Sequence, residues 1–349
     1  MKNVLTLPRY LSLWAISLLL VALVFLLCIC FGPGVPGISA VQFGWPTSDE
    51  FSLRIMRILP AALVGLALSA SGVALQALLR NPLADPYVLG ISSGSSVGVL
   101  LWLLVVGPFY AVVANNPFLR IALKQGALLP ALAGAIATCI LVFLLARSRR
   151  TSSSDSLTLL LVGVVVSAVN GALLMLLNHL APPDVRLNLL NYMMGTISSD
   201  VTATTLTLAG VILALGYFPL LLAGKALNIG SLSDTEAISL GVNIKTLRQL
   251  CFISASIMTA ASIILSGPIG FVGLICPHIC RSILGADHRK LLVAAPLAGA
   301  AFLMLADTFV SATGTLFHGE LPVGVITALC GGPFFLLLLH RRRENGGLQ

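Results

Sequence analysis

Long stretches without a charged residue recur along the whole chain, and they limit the fold more than any other feature. About 20 apolar residues in a helix are needed to cross the hydrocarbon core of a bilayer. Each stretch therefore predicts a membrane span, because a helix satisfies its own backbone hydrogen bonds in lipid. We predict about ten spans, at residues 11–31, 58–79, 88–106, 125–146, 156–180, 201–224, 249–265, 271–284, 291–310 and 321–339.

Composition excludes a soluble domain. Of the 349 residues, 58% are hydrophobic and 9% are charged, whereas a soluble domain has roughly a quarter charged residues. The net charge of +8 would suit a nucleic-acid-binding protein if the bases formed one face of a soluble module. The bases instead lie between apolar stretches, as in multi-span proteins. We predict an all-α polytopic membrane protein in a lipid bilayer, with no nucleic-acid partner.

The first apolar stretch, 11–31, has a second interpretation as a secretory signal peptide. A signal peptide has a shorter apolar core, followed by a cleavage site made of small residues. Here the apolar core is long, and Ile38-Ser39-Ala40 is a weak match to a cleavage site. We therefore predict that the stretch is a retained span.

The basic residues predict the orientation of the chain. With ten spans and the N-terminus inside, both termini are cytoplasmic, and 15 of the 20 Lys and Arg residues lie on the cytoplasmic side. Cytoplasmic loops of membrane proteins carry such an excess of bases. These 15 are Lys2, Arg9, Arg80, Arg147, Arg149, Arg150, Lys225, Lys245, Arg248, Arg281, Arg289, Lys290, Arg341, Arg342 and Arg343.

The longest polar connection with basic flanks, 227–243, lies on the predicted cytoplasmic side. Ser233 followed by Glu236 is a capping-box pattern, and Gly241 is suited to end a helix. The connection is therefore predicted to contain a short amphipathic helix. That helix is either an ordinary solvated loop helix or a docking site for a soluble partner.

Two turns interrupt the apolar pattern. Gly267, Pro268 and Gly270 follow an uncharged run and predict the end of a helix, because Pro has no N–H to donate and Gly tolerates helix-ending conformations. We interpret this break as a tight reversal at the outer membrane face. Asn81 and Pro82 begin a short, proline-rich turn on the cytoplasmic side.

Glycines at positions 90, 94 and 98 repeat at a spacing of four residues in the third predicted span. Small residues at this spacing let two helices approach closely. The spacing indicates helix packing, and a smooth pore-lining face is the alternative.

No catalytic set, metal site or cofactor motif is visible, so we predict that the chain is not an enzyme. Gly224-Lys225 lacks the rest of a phosphate-binding loop. The seven Cys residues include no C-x-x-C pair, and the five His residues are scattered. Asp307 is the main carboxylate inside a span; it predicts either ion coupling or a structural hydrogen-bonding role.

Five short motifs occur in order along the chain: RILP at 57–60, RNPLADP at 80–86, GPIGFVGL at 267–274, GADHR at 285–289 and ELPVG at 320–324. In these motifs the chain resembles the FecCD family, the permease subunits of ABC importers for ferric siderophores, haem and vitamin B12. The resemblance covers about residues 10–340.

The resemblance implies a type II ABC importer permease fold, with ten helices in each subunit. Two permeases form a homodimer or heterodimer, and the pathway follows their interface along 156–180 and 187–197. The implied cytoplasmic gate lies at Ser154, Ser156, Leu157 and Thr158.

Two soluble partners are also implied. ATPase subunits dock on helices within 227–243, through Ser231, Asp234, Glu236 and Gly241. An extracytoplasmic binding protein meets Arg54 and Arg57; from the residues alone, both arginines could equally be ordinary anchors at the membrane interface. Ser311 occupies the approximate place where well-studied members carry another outer arginine.

The function that we expect is import of a metal chelate, most specifically a ferric siderophore, across a bacterial cytoplasmic membrane. ATP hydrolysis would reside in the partner subunit. Vitamin B12 or haem is the alternative cargo. An ion-coupled secondary transporter that acts alone and a membrane scaffold without transport activity are the other hypotheses.

Overall fold

The computed structural model describes residues 7–33, 41–87, 89–113, 128–146, 156–182, 190, 192–197, 201–313 and 321–346. Within these residues it has twelve helices and one two-stranded hairpin. In chain order the elements are α1 (Leu7–Cys30), β1 (Phe31–Pro33), β2 (Val41–Phe43), α2 (Ser48–Leu78), α3 (Ile91–Val113), α4 (Leu128–Ala146), α5 (Ser156–Leu180), α6 (Ala203–Leu222), α7 (Gly224–Gly230), α8 (Asp234–Ser239), α9 (Ile244–Ser266), α10 (Val272–Leu284), α11 (His288–Thr313) and α12 (Val323–Gly346).

The architecture confirms the predicted all-α polytopic fold. Seven helices are long and apolar enough to cross a membrane, and three shorter apolar helices lie within α3, α10 and α12. Together they correspond to the ten predicted spans. The two remaining helices, α7 and α8, lie in the polar connection where helical structure was predicted.

Helix α2 begins at Ser48, well before the predicted start at residue 58. The Glu50 side chain accepts a hydrogen bond from the Thr47 backbone N–H at 3.3 Å, an interaction that starts a helix in polar sequence. As a result, Arg54 and Arg57 lie inside the helix rather than in front of it. The predicted loop before α2 also contains a short antiparallel pairing, with Phe31 opposite Phe43.

Helix α2 is the centre of the bundle. It is buried along most of its length, whereas α1 is largely exposed. Glycines let its backbone touch its neighbours: Gly65 lies against Gly299 of α11, and Gly72 lies against Gly273 of α10. Close backbone approach of this kind is how membrane helices pack without large side chains.

The glycine spacing in α3 also serves packing. Gly94 lies against Thr138 and Gly134 of α4, and Gly98 lies against the Pro130 carbonyl of the same helix. An added Cβ at either glycine would meet these atoms. The packing interpretation is therefore confirmed for Gly94 and Gly98.

Candidate functional site

Residues 224–242, which we name the coupling segment, form the most distinctive polar structure in the described chain. The segment contains α7 and α8 rather than one helix. The predicted capping box is present, since Ser233 Oγ accepts the Glu236 N–H at 3.2 Å and Glu236 Oε2 accepts the Ser233 N–H at 3.0 Å. The Ser233 hydroxyl also donates to Glu236 Oε2 at 2.7 Å, and this bond together with that from the Ser233 N–H lowers the pKa of Glu236.

Gly241 ends the second helix of the segment. Its φ angle is +82°, in the left-handed region that glycine adopts without steric cost. The Gly241 N–H donates to the Ile238 carbonyl at 2.9 Å, and the Val242 N–H donates to the Ala237 carbonyl at 3.0 Å. This pair of bonds is a Schellman motif, so the predicted helix end at Gly241 is confirmed.

Asp234 connects the coupling segment to two membrane helices. Its carboxylate pairs with Arg80, which follows α2, and lies 2.9 Å from Arg248 Nη2 of α9. Burial alone would raise the pKa of Asp234, but the hydrogen bonds and charges of Arg80 and Arg248 lower it below its ordinary value. Arg80 also donates to the Gly230 carbonyl through Nε at 3.1 Å and Nη2 at 3.0 Å.

Asn228 connects the same segment to the start of α11. Its Nδ2 lies 2.7 Å from Asp287 Oδ1, and its Oδ1 lies 2.7 Å from the His288 backbone nitrogen. Burial would raise the pKa of Asp287, but hydrogen bonds from Arg289 and Asn228 lower it to about 2. The segment is therefore attached to α2, α9 and α11 together.

The segment presents an apolar surface outward. Leu232, Ile238 and Leu240 are 44%, 64% and 60% exposed, whereas Ala237 and Leu227 point inward and are fully buried. Of the predicted docking residues, Ser231, Glu236 and Gly241 are exposed here, and Asp234 is about one-third exposed. An anchored helix with exposed aliphatic side chains can fill a groove on another protein.

Arg57 and Asp307 form an ion pair between α2 and α11. Arg57 Nε lies 2.9 Å from Asp307 Oδ2, and Arg57 Nη2 lies 3.2 Å from Oδ1. The two side chains are 14% and 2% exposed. The bidentate geometry is the strongest form of an arginine–carboxylate contact, and it supports the structural interpretation of Asp307.

Arg54 is also held from within the chain. It donates to the Ile29 carbonyl and lies 3.6 Å from Glu50, with 12% of its side chain exposed. Docking of a binding protein at Arg54 and Arg57 stays a prediction. In this conformation both arginines already have partners within the chain, so a binding protein would contact side chains that are engaged in these interactions.

The predicted break between two helices is present, because α9 ends at Ser266 and α10 begins at Val272. Gly267 has a φ angle of +66°, and Phe271 has one of +69°. Gly267 packs against the Tyr192 backbone, and Gly195 packs against Pro268. The break thus contacts the short segment 192–197, which belongs to the predicted pathway. Gly270 lies against the Tyr87 ring.

The turn after α2 is organised by side-chain oxygens. Asn81 Oδ1 accepts the Leu83 N–H at 3.0 Å, next to Pro82. Asp85 is buried, and its Oδ1 accepts the Tyr87 N–H at 2.7 Å. Burial raises the pKa of Asp85 to about 6, although hydrogen bonds from the Tyr87 and Leu274 backbones lower it. Asp85 therefore links the loop after α2 to the first helical turn of α10.

The predicted gate is only partly described. Ser154 lies outside the described residues, and Ser156 and Leu157 are described only as the backbone of α5. Thr158 is exposed on the same helix. Residues 187–189 and 191, on the predicted pathway, also lie outside the described residues. The gate stays a prediction.

Sequence reasoning did not single out Asn228, Arg80 or Arg248 as anchors of the coupling segment. Arg80 and Arg248 were both predicted on the same side of the membrane as Asp234, and this was a signal for the ion pairs. No sequence signal indicated the bonds of Asn228, because its partners lie about 60 residues away. Among the described residues, no three His, Cys, Asp or Glu side chains are grouped to hold a metal ion.

Known proteins resemble the chain over nearly all its length. The model of the FecCD transport family matches residues 15–341. A probable iron chelatin transport system permease protein of Helicobacter pylori strain J99 is 40% identical over 291 residues, which are 83% of this chain and 82% of that protein. The hemin transport system permease protein of Yersinia pestis is 35% identical over 332 residues, which are 93% of this chain and 95% of that protein.

A solved structure has the same architecture. It is an inward-facing conformation of a metal-chelate type ABC transporter, with a TM-score of 0.76 and 29% sequence identity. The match covers 95% of this chain and 99% of that chain. It confirms the predicted importer permease fold. With a family model that spans almost the whole sequence, the chain belongs to the FecCD transport family.

Proposed function

We propose that the chain is the permease subunit of an ABC importer and carries a metal chelate, most specifically a ferric siderophore, into the cell. The coupling segment carries this proposal. It is fastened to α2, α9 and α11 by side chains and exposes Leu232, Ile238 and Leu240. Separate ATPase subunits would grip this surface and supply the energy, so the chain itself is not an enzyme.

Relatives support a chelate as the cargo. Permeases named for iron chelatin and for hemin are each at least 35% identical to this chain. Few charged residues lie inside the predicted spans. This suits a bulky metal chelate as cargo, because such a cargo needs a wide passage that binds it weakly and not a ring of ligands. Haem or vitamin B12 is the alternative cargo for the same machinery.

The assembly that we propose has two permeases, two ATPase subunits and an extracytoplasmic binding protein. The chain would be a multi-pass protein of the cytoplasmic membrane with both termini inside. The excess of bases in the predicted inner loops supports this orientation. It places the coupling segment in the cytoplasm, where ATP is available.

A secondary transporter is less well supported. Its main candidate for ion coupling was Asp307, and this carboxylate is almost fully buried and paired with Arg57. Proton uptake by Asp307 would break that pair at a cost in stability. The permease alone, reconstituted in vesicles with a proton or sodium gradient, should not concentrate a chelate. Uptake without nucleotide or ATPase subunit would overturn the proposed function.

We expect Ile238→Glu to stop docking of the ATPase subunit and leave the permease folded. Ile238 is 64% exposed, so the fold loses little when it changes. A buried unpaired carboxylate in the interface would weaken binding by about 2–5 kcal/mol. Pull-down of the ATPase subunit and ATP-driven uptake measure the effect.

Lys245→Glu is the control for this prediction, since Lys245 is exposed just after the coupling segment. It reverses a charge nearby without adding one to the apolar surface, and both readouts should stay close to those of the unmodified protein. Normal ATPase capture by Ile238→Glu would show that this surface is not the docking site.

A further inference from the structure

The Asn228 side chain forms hydrogen bonds with three polar groups where the coupling segment meets α11. Its Oδ1 lies 2.7 Å from the His288 backbone nitrogen and 2.9 Å from His288 Nδ1, and its Nδ2 lies 2.7 Å from Asp287 Oδ1. A backbone N–H can only donate, and the Asp287 carboxylate can only accept. The orientation of the Asn228 amide is therefore fixed by its neighbours.

This contact differs in kind from the ion pairs of Asp234. The Asp234, Arg80 and Arg248 side chains are 27–34% exposed, and ion pairs in contact with water contribute little to holding two elements together. The Asp287 side chain is 22% exposed, but His288 is only 4% exposed. The hydrogen bonds of His288 to Asn228 are shielded, so breaking them leaves polar groups without partners.

Helix α11 cannot absorb a displacement at its start. Over its 26 residues it packs on α2 through Gly299 against Gly65, and Ser69 Oγ donates to the Ala295 carbonyl at 2.7 Å. Near its far end, Asp307 is paired with Arg57 of α2. Close-packed helices transmit a shift because their interfaces resist continuous deformation.

We propose that Asn228 is a positioning residue that passes movement of the coupling segment on to α11, through its hydrogen bonds to Asp287 and His288. The proposal rests on the proposed function, since the ATPase subunit moves the segment. The ion pairs of Asp234 also join the segment to Arg80 and Arg248, but they are exposed to water, whereas the contact of Asn228 with His288 is shielded.

The test uses two changes that keep the shape of the side chains. Asn228→Asp replaces the Nδ2 donor by an oxygen that faces Asp287 Oδ1, so two carboxylates repel each other. The double variant Asn228→Asp with Asp287→Asn exchanges donor and acceptor between the two side chains. Asp287→Asn alone measures the loss of the bonds that Asp287 Oδ1 accepts from Arg289 N–H and Nε, at 3.0 and 3.1 Å. Lys245→Gln is the matched control, because Lys245 is exposed just outside the coupling segment and its replacement also changes the net charge by one unit.

Hydrogen exchange gives a readout that needs no cargo. The permease–ATPase complex in lipid nanodiscs is compared with and without ATP and vanadate, and exchange is followed in the peptide that contains residues 287–292. We expect nucleotide trapping to change exchange in the unmodified complex. Asn228→Asp should reduce this change by roughly tenfold, a size typical of coupling between sites. The double variant and Lys245→Gln should retain it.

Transport gives the second readout. Proteoliposomes receive haemin, cyanocobalamin or a radiolabelled ferric trihydroxamate chelate, and uptake is divided by ATP hydrolysed. For Asn228→Asp we expect uptake per ATP to fall by roughly tenfold, with ATP hydrolysis within about twofold of the unmodified complex and rescue in the double variant. A purely structural residue would lower both quantities together.

Three results would overturn the proposal. Unchanged exchange and unchanged uptake per ATP in Asn228→Asp would show that the contact transmits nothing. Loss of ATPase binding in that variant would assign Asn228 to docking instead. A double variant as defective as Asn228→Asp, with Asp287→Asn alone unimpaired, would exclude the hydrogen bond as the cause. If the unmodified complex carries no probe, the proposed cargo fails, while the exchange experiment still decides the role of Asn228.

Discussion

Asp307→Ala should destabilise the folded permease by about 3–5 kcal/mol, the usual cost of removing one partner from a buried ion pair. The change leaves the Arg57 guanidinium between α2 and α11 with its charge uncompensated, at a site where only 14% of its side chain is exposed. Asp307→Asn should cost less, because the amide oxygen still accepts a hydrogen bond from Arg57. The unfolding temperature of both variants is measured in detergent, with size-exclusion chromatography to monitor how much folded protein remains after heating.

The control is the double variant Arg57→Met with Asp307→Leu, which removes both charges. It should be more stable than Asp307→Ala alone, since replacing a buried pair by apolar residues is often neutral or stabilising. If Asp307→Ala unfolds at the same temperature as the unmodified protein, Arg57 has found solvent or another acceptor. The pair would then contribute nothing to holding α2 on α11.

Gly72→Ala and Gly171→Ala should have opposite effects, although both replace a glycine inside a helix by alanine. An alanine is normally favoured over glycine in a helix by about 0.8–1 kcal/mol. A Cβ at Gly171 of α5 meets nothing within 4 Å, so this variant should be stabilised within this chain. A Cβ at Gly72 would overlap the Gly273 carbonyl and force α2 and α10 apart, and overpacking of this kind costs about 1–3 kcal/mol or more.

The two variants are compared by the yield of monodisperse protein and by unfolding temperature in the same detergent. Because the substitution is identical, helix propensity cancels and the packing difference remains. Equal stability of the two variants would mean that α10 shifts away from α2 at little cost. The close approach of the two backbones would then not be a requirement of the fold.

The central position of α2 explains why both predictions concern it. Arg57 lies near its start, Gly65 and Gly72 lie in its middle, and Arg80 follows its end. Contacts at these points reach α10, α11 and the coupling segment. One long helix, α2, thus connects the surface on which the ATPase subunit is proposed to dock with the opposite end of the bundle.

Local patterns in the sequence were sufficient for much of this protein. Apolar runs predicted the seven helices that are long and apolar enough to cross a membrane and the three shorter apolar ones, since this property depends on length and polarity alone. The capping box at Ser233 and Glu236 and the end at Gly241 depend on neighbouring residues. The family motifs could likewise be recognised from the sequence, because each is a short run of consecutive residues.

Only the tertiary structure decided which side chains meet across the chain. Arg57 and Asp307 are 250 residues apart, and Asn228 and His288 are 60 apart. An isolated arginine near a helix start fits docking as well as internal pairing, so its sequence position left the question open. The bundle places a carboxylate 2.9 Å from its guanidinium. Local sequence determines where a helix begins and ends, whereas a polar group among apolar helices takes its role from the partner that packing brings to it.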